Sequence, residues 1–166
     1  MFDEQTFTPH AQQGWQSWDA WSPELDFCRF AGLLQRMLQP RTVLETGVGV
    51  GRLTAHLDRN TCRYIGFESD PAWRRSPADP ELVTPAVEHM AGADLVILDS
   101  AVSVRHAEIA LWAEHGRSGS VCLVHDCGNG HGPDTIHAAL AQACLATGQP
   151  GTLLRNPRGG WMGVHA

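Results

Sequence analysis

The chain is short of several things, and each shortage removes a class of function. No apolar run approaches the ~20 residues that cross a bilayer, and the first residues are polar and acidic, so neither a membrane partner nor a secretory leader is expected. Basic residues are few: 12 Lys and Arg stand against 18 Asp and Glu, for a formal net charge of -6 and a pI near 5.8. No basic face is left for a polyanion, which argues against nucleic acid as a partner. The five cysteines, Cys28, Cys62, Cys122, Cys127 and Cys144, are odd in number and scattered, with no Cys-x-x-Cys pair. They are expected to be reduced thiols of a cytoplasmic protein. There is no internal repeat and no low-complexity tract, and 166 residues make one domain with nothing to spare for a second.

What is present centres on one stretch, Thr42-Val43-Leu44-Glu45-Thr46-Gly47-Val48-Gly49-Val50-Gly51-Arg52-Leu53-Thr54. Val43 and Leu44 end a buried strand, the three alternate glycines make a tight turn, and Arg52 to Leu57 is expected to open a helix. Glycine suits a loop on which a ligand lies against the backbone, because it adds no side chain and accepts positive φ. The dinucleotide fingerprint Gly-x-Gly-x-x-Gly would need a glycine where Arg52 stands, so a nicotinamide-binding Rossmann protein is the weaker alternative. An acid two residues ahead of the first glycine suits a cationic ligand and repels a pyrophosphate.

Glu45-x-Gly47-x-Gly49-x-Gly51 resembles motif I of the class I S-adenosylmethionine (SAM) methyltransferases. The resemblance implies that the loop, with Glu45, Thr46, Gly47, Gly49 and Gly51, passes under the methionine part of SAM, with the acid helping to hold its amino end. Cys62 to Glu68 is a second strand ending in an acid a little under twenty residues past the last glycine, where a βαβ unit places the acceptor for ribose hydroxyls. Glu68 is therefore the ribose candidate.

Residues 1–40 are expected to form a helical segment serving as cap or lid, and residues 41–166 the cofactor-binding core. Trp15, Trp18 and Trp21 fall three apart and serve as a hydrophobic staple or as a lid over an acceptor pocket. Ser22-Pro23-Glu24 is a helix start with serine as cap and proline first, followed by the stripe Leu25, Phe27, Phe30, Leu33, Leu34, Met37 and Leu38 before Pro40. Leu82-Val83-Thr84 is expected to be a short third strand, with Thr84-Pro85 where the family commonly meets adenine. Ala93 to Asp99 and Gly119 to Asp126 are further strands, Val104 to His115 and Thr135 to Ala146 helices, and Thr152 to Arg155 pairs with Trp161 to Val164 as a hairpin. The expected fold is α/β: a Rossmann-like, doubly wound, three-layer αβα arrangement, mostly parallel, with a C-terminal antiparallel hairpin strand.

In such a sheet ligands sit beyond the carboxyl ends of the strands. Glu45, Glu68, Asp99, His125 and Asp126 all lie at such ends. Ile97-Leu98-Asp99 and Leu123-Val124-His125-Asp126 resemble the strand ends of the small-molecule O-methyltransferase branch, although Ser100-Ala101-Val102 lacks that pattern's second acid and histidine. The resemblance implies a SAM-dependent methyltransferase acting on a small-molecule acceptor, most simply a hydroxyl. His125 is the expected base, with an unperturbed pKa near ~6.5, unless it is a structural histidine. Asp126 or Asp99 would orient it, or would bind Mg2+ or another divalent cation; Asp99 also counts among the cofactor residues. His125, Cys127 and His131 match no common zinc spacing. Arg155 and Arg158, in the turn of that hairpin, could meet an acidic acceptor, with solvated turn charges as the default expectation. The pocket would be completed by the amino-terminal helix or by the second subunit of a homodimer. A catalytically inactive SAM-binding or scaffold subunit is the other alternative.

Overall fold

The computed structural model describes residues 23–70, 85–128, 135–156 and 158–166. The tryptophans at 15, 18 and 21, Ser22, the expected strand at 82–84 and His131 lie outside them. Helix α1 (Leu25–Leu38) leads into β1 (Thr42–Thr46), a 3-10 turn at Thr54–His56, β2 (Arg63–Phe67) and α2 (Val87–Gly92). There follow β3 (Leu95–Leu98), α3 (Val102–His115), β4 (Val121–His125), α4 (Thr135–Ala146), β5 (Gly151–Leu154) and β6 (Gly160–Val164). Among the described residues no helix is long and apolar enough to cross a membrane.

The six strands form one sheet in the order β2-β1-β3-β4-β6-β5. β1 pairs parallel with both β2 and β3, and β3 with β4, whereas β6 runs antiparallel between β4 and β5. The strand period of two divides the core cleanly. Leu44, Val96, Leu98, Cys122 and Val124 face one side, packing with Met90, Ile109, Trp112 and Leu140 of the helices α2, α3 and α4. Val43, Leu95, Ile97, Val121 and Leu123 face the other, where Phe27, Cys28 and Ala31 of α1 and Leu53 cover them. That is a three-layer αβα arrangement, with α1 built into one of its outer layers.

Two local expectations are corrected. The stretch after the glycines forms no α-helix but a single 3-10 turn, because α1 lies against it. Gly32 lets the two segments meet: a Cβ there would come within 2.3 Å of the His56 carbonyl oxygen. Gln35 locks the contact, its amide group exchanging 2.8 Å hydrogen bonds with the Asp58 backbone N–H and C=O. The buried face of α1 is accordingly Phe27, Cys28, Ala31, Gly32 and Gln35, while Leu33, Met37 and Leu38 of the expected stripe are exposed. The helix begins at Leu25, and its cap is Glu24, two residues past the expected Ser22, with a side chain that makes no capping bond.

The chain leaves β1 toward β2 on one side and returns to β3 on the other. Beyond the ends of β1 and β3 lies the crevice of the sheet.

Candidate functional site

The glycine loop fills that crevice. Gly47, Gly49 and Gly51 have φ of 71°, 55° and 85°, left-handed values that an L-residue adopts at a cost. Gly47 is also pressed against β3, since a Cβ would lie 2.2 Å from the Asp99 carbonyl oxygen. Gly49 is different: the nearest atom to a Cβ is 4.0 Å away, so that position faces open space. The loop is tied to the end of β2 by Gly47 and Val48 N–H bonds to the Phe67 carbonyl and by the Gly49 N–H, which donates to Glu68 Oε2 at 2.7 Å. Glu68 Oε1 accepts from the Asp70 N–H at 2.9 Å.

A cavity of about 520 Å3 opens over this loop. Of the residues expected at the cofactor, Glu45, Thr46, Gly47, Gly49, Glu68 and Asp99 line it, and Asp126 lines its other end; Gly51 and His125 do not. Glu45 is 1% exposed, and its Oε2 accepts from the Tyr64 hydroxyl at 2.6 Å and the Thr54 hydroxyl at 2.8 Å. Burial outweighs those donors and pushes its pKa up to about 7.

His125 is fully enclosed. Its Nδ1 donates to Asp99 Oδ1 at 2.8 Å and lies 3.3 Å from Asp126 Oδ1, and its Nε2 donates to Glu24 Oε2 at 2.6 Å. Burial alone would lower its pKa, but Asp99, Glu24 and Asp126 reverse the sign and push it up to about 9. The ring is therefore an imidazolium with both nitrogens committed, which differs from the neutral, cavity-facing base read from its strand-end position.

Glu24 went unrecognised in the sequence, where it passes for a helix-start acid. Its Oε1 accepts from Asn156 Nδ2 at 2.5 Å and from the Arg158 N–H at 3.0 Å. Burial raises its pKa, but the His125 imidazolium and these donors hold it well below the usual carboxylate range. Arg158, expected in solvent, forms a side-on pair with Asp126, Nε to Oδ1 at 2.8 Å and NH2 to Oδ2 at 2.9 Å. Asp126 takes φ of 61° in doing so, a conformation that aspartate tolerates better than most residues.

Arg105 and Glu108, one turn apart on α3, are the other two residues the sequence did not single out. Both are nearly inaccessible, at 3% and 4% exposed, and both line the cavity. Glu108 Oε2 accepts from the Ser100 hydroxyl at 2.6 Å and from the Thr46 hydroxyl at 3.0 Å, and burial raises its pKa. Arg105 donates to Asp99 Oδ1 at 3.2 Å, to Asp126 Oδ2 at 3.3 Å, to the His125 carbonyl at 2.7 Å and to the Ser100 carbonyl. Charged residues three apart on a helix whose neighbours face a sheet were the available signal.

Asp99, His125 and Asp126 place ligand-type atoms within 4.8 Å of one another, yet they do not fit the magnesium-like ion expected on Asp99 and Asp126. The Arg105 guanidinium lies against both carboxylates, and Arg158 holds Asp126 from the other side. Asp99 and Asp126 are already paired with His125, Arg105 and Arg158, so an added ion would be set against three positive groups in a buried site.

The raised pKa values set a pH dependence. His125 keeps in the fold a proton that the unfolded chain releases, so its stabilisation is complete below about pH 6.5 and is lost as pH rises through about 9. Its size is of the order of 3 kcal/mol. Glu45 works in the same sense at lower pH: its protonated form is favoured in the fold, so stability falls between about 4.5 and 7. Thermal melts are expected to show a falling Tm from pH 6 to 9.5, with Glu45→Gln flattening the lower part. A Tm that climbs across that range would contradict both assignments.

No family model matches the chain, and no curated protein does. Solved structures do. Cofactor-bound Rv0187 from MTB superposes with a TM-score of 0.67 over 86% of this chain and 81% of its own, at 21% identity. The O-methyltransferase from Bacillus cereus in complex with SAH gives 0.67 over 94% and 86%, at 16% identity. TomG from Streptomyces achromogenes, an O-methyltransferase involved in tomaymycin synthesis and bound to SAM, gives 0.64 over 88% and 82%, at 14% identity. The chain therefore has the Rossmann-like α/β fold of these solved structures.

Proposed function

We propose that the protein is a SAM-dependent methyltransferase that places a methyl group on the oxygen of a small-molecule acceptor. The observation that carries this is the cavity over the Glu45-x-Gly-x-Gly-x-Gly loop, which runs from two acids suited to a cationic amino acid and a ribose to a second cluster of charged groups at Asp99 and Asp126. SAM carries its own activated leaving group at the sulfonium. The chain's residues thus have to bind, align and remove a proton.

Glu45 faces the ammonium end and Glu68 the ribose hydroxyls. Asp99 is the group placed to take the acceptor's proton: its Oδ1 is held by His125 and Arg105, and its Oδ2 has no hydrogen-bond partner among the described residues. His125 then serves as the positioning residue behind Asp99. Pro23, held through its carbonyl by Arg52 at 2.8 Å, closes the cavity beside α1, which gives the start of that helix the part of a lid.

Titration calorimetry with SAM tests the reading, and no heat at millimolar cofactor would end it. Glu68→Ala is expected to weaken binding by roughly 1.5 to 3 kcal/mol, the value of a charged hydrogen-bonded contact. An unchanged dissociation constant in that variant would remove Glu68 from the ribose.

A further inference from the structure

Arg105 spends its guanidinium in an unusual way for a residue lining a cavity. Its partners are four oxygens from the ends of two strands: the Asp99 and Asp126 carboxylates and the Ser100 and His125 carbonyls. Carboxylate and carbonyl oxygens closing around one positive centre are the donor set of a hard divalent cation. Arg105 has five N–H donors, and these four oxygens engage all three of its nitrogens. The guanidinium thus holds the ends of β3 and β4 together as a bridging ion would.

We propose that Arg105 is a built-in cation standing where a divalent ion would bridge Asp99 and Asp126, so that the wild-type site takes up no such ion and removal of the guanidinium opens a site that does. Under the methyl-transfer reading on which its catalytic meaning rests, the reaction then runs without metal, and acceptors need no pair of adjacent oxygens to chelate one. The site itself is independent of that reading.

The test uses Mn2+ alone, titrated without SAM and followed by electron paramagnetic resonance, so that a failure of SAM binding and a failure of this inference are read separately. Arg105→Ala is expected to bind one Mn2+ with a dissociation constant of about 0.1 to 1 mM, at least about tenfold tighter than wild type. Adding Asp126→Asn should abolish it. Equal uptake by wild type and Arg105→Ala, or wild-type uptake that Asp126→Asn removes, would overturn the proposal. Should Arg105→Ala and Arg105→Gln both unfold, recovery of their circular dichroism in Mn2+ supports the proposal and failure to recover overturns it.

Discussion

Valine at position 49 is expected to abolish SAM binding and to leave the protein folded. The backbone at Gly49 has φ of 55°, and a Cβ there would come no closer than 4.0 Å to any atom beyond its chain neighbours. The cost to the fold is the left-handed conformation of one branched residue, about 1–2 kcal/mol, or a drop in Tm of roughly 2–8 °C. The cost to the ligand is larger, because the methyls project into the cavity where the proposed cofactor crosses the loop. A loss of about 100-fold or more is expected in titration calorimetry, beyond 2.7 kcal/mol. Unchanged affinity would reduce the glycines to a structural turn. Gly47 makes the contrast: a Cβ there meets the Asp99 backbone at 2.2 Å, so its replacement damages the fold before it bears on any ligand.

The second large effect is on stability. His125→Ala should destabilise the protein by about 3–5 kcal/mol, the usual result of stripping one partner from a buried ion pair. It leaves Glu24 and Asp99, both at most about a tenth exposed, facing an empty space without their shared cation. For a chain of this length that is a fall in Tm of roughly 6–20 °C. A histidine acting as a cavity base would give the opposite pattern, with Tm preserved and turnover lost. Melting curves at pH 7 therefore separate the two roles.

The strands were legible in the sequence because their apolar runs are buried on both faces, as Leu95 to Leu98 and Val121 to His125 are. The glycine-loop end of the cavity was legible as a place, since glycine spacing and an acid at a strand end are local patterns, and Glu45, Gly47, Gly49 and Glu68 line one cavity. The charged cluster at its other end was not. Glu24, Arg105, Glu108 and Arg158 are ordinary polar residues of helices and a turn, and only the packing of α1, α3 and the hairpin against β4 brings them to Asp99 and Asp126. A sequence pattern records neighbours along the chain, whereas Arg105 lies 21 residues from Asp126, and Glu24 lies 134 from Arg158 and 101 from His125. The same distance concealed the state of His125: a histidine at a strand end reads as a base until the carboxylate on its far nitrogen is seen. The turn after Gly51 failed for a related reason, since its length was set by α1 lying against it.

That span also fixes the order in which the site can be assembled. Glu24 is made 134 residues before Arg158, whose N–H it accepts. The parallel strands from β1 to β4 can pair before the hairpin has left the ribosome, but Glu24 and Asp126 then lack Arg158. Closing so long a loop is slow and is compensated only by the contacts it completes. The Glu24–Arg158 contact is consequently a late one, and the nascent protein carries its four parallel strands before it carries either the hairpin or the charged cluster that the hairpin completes.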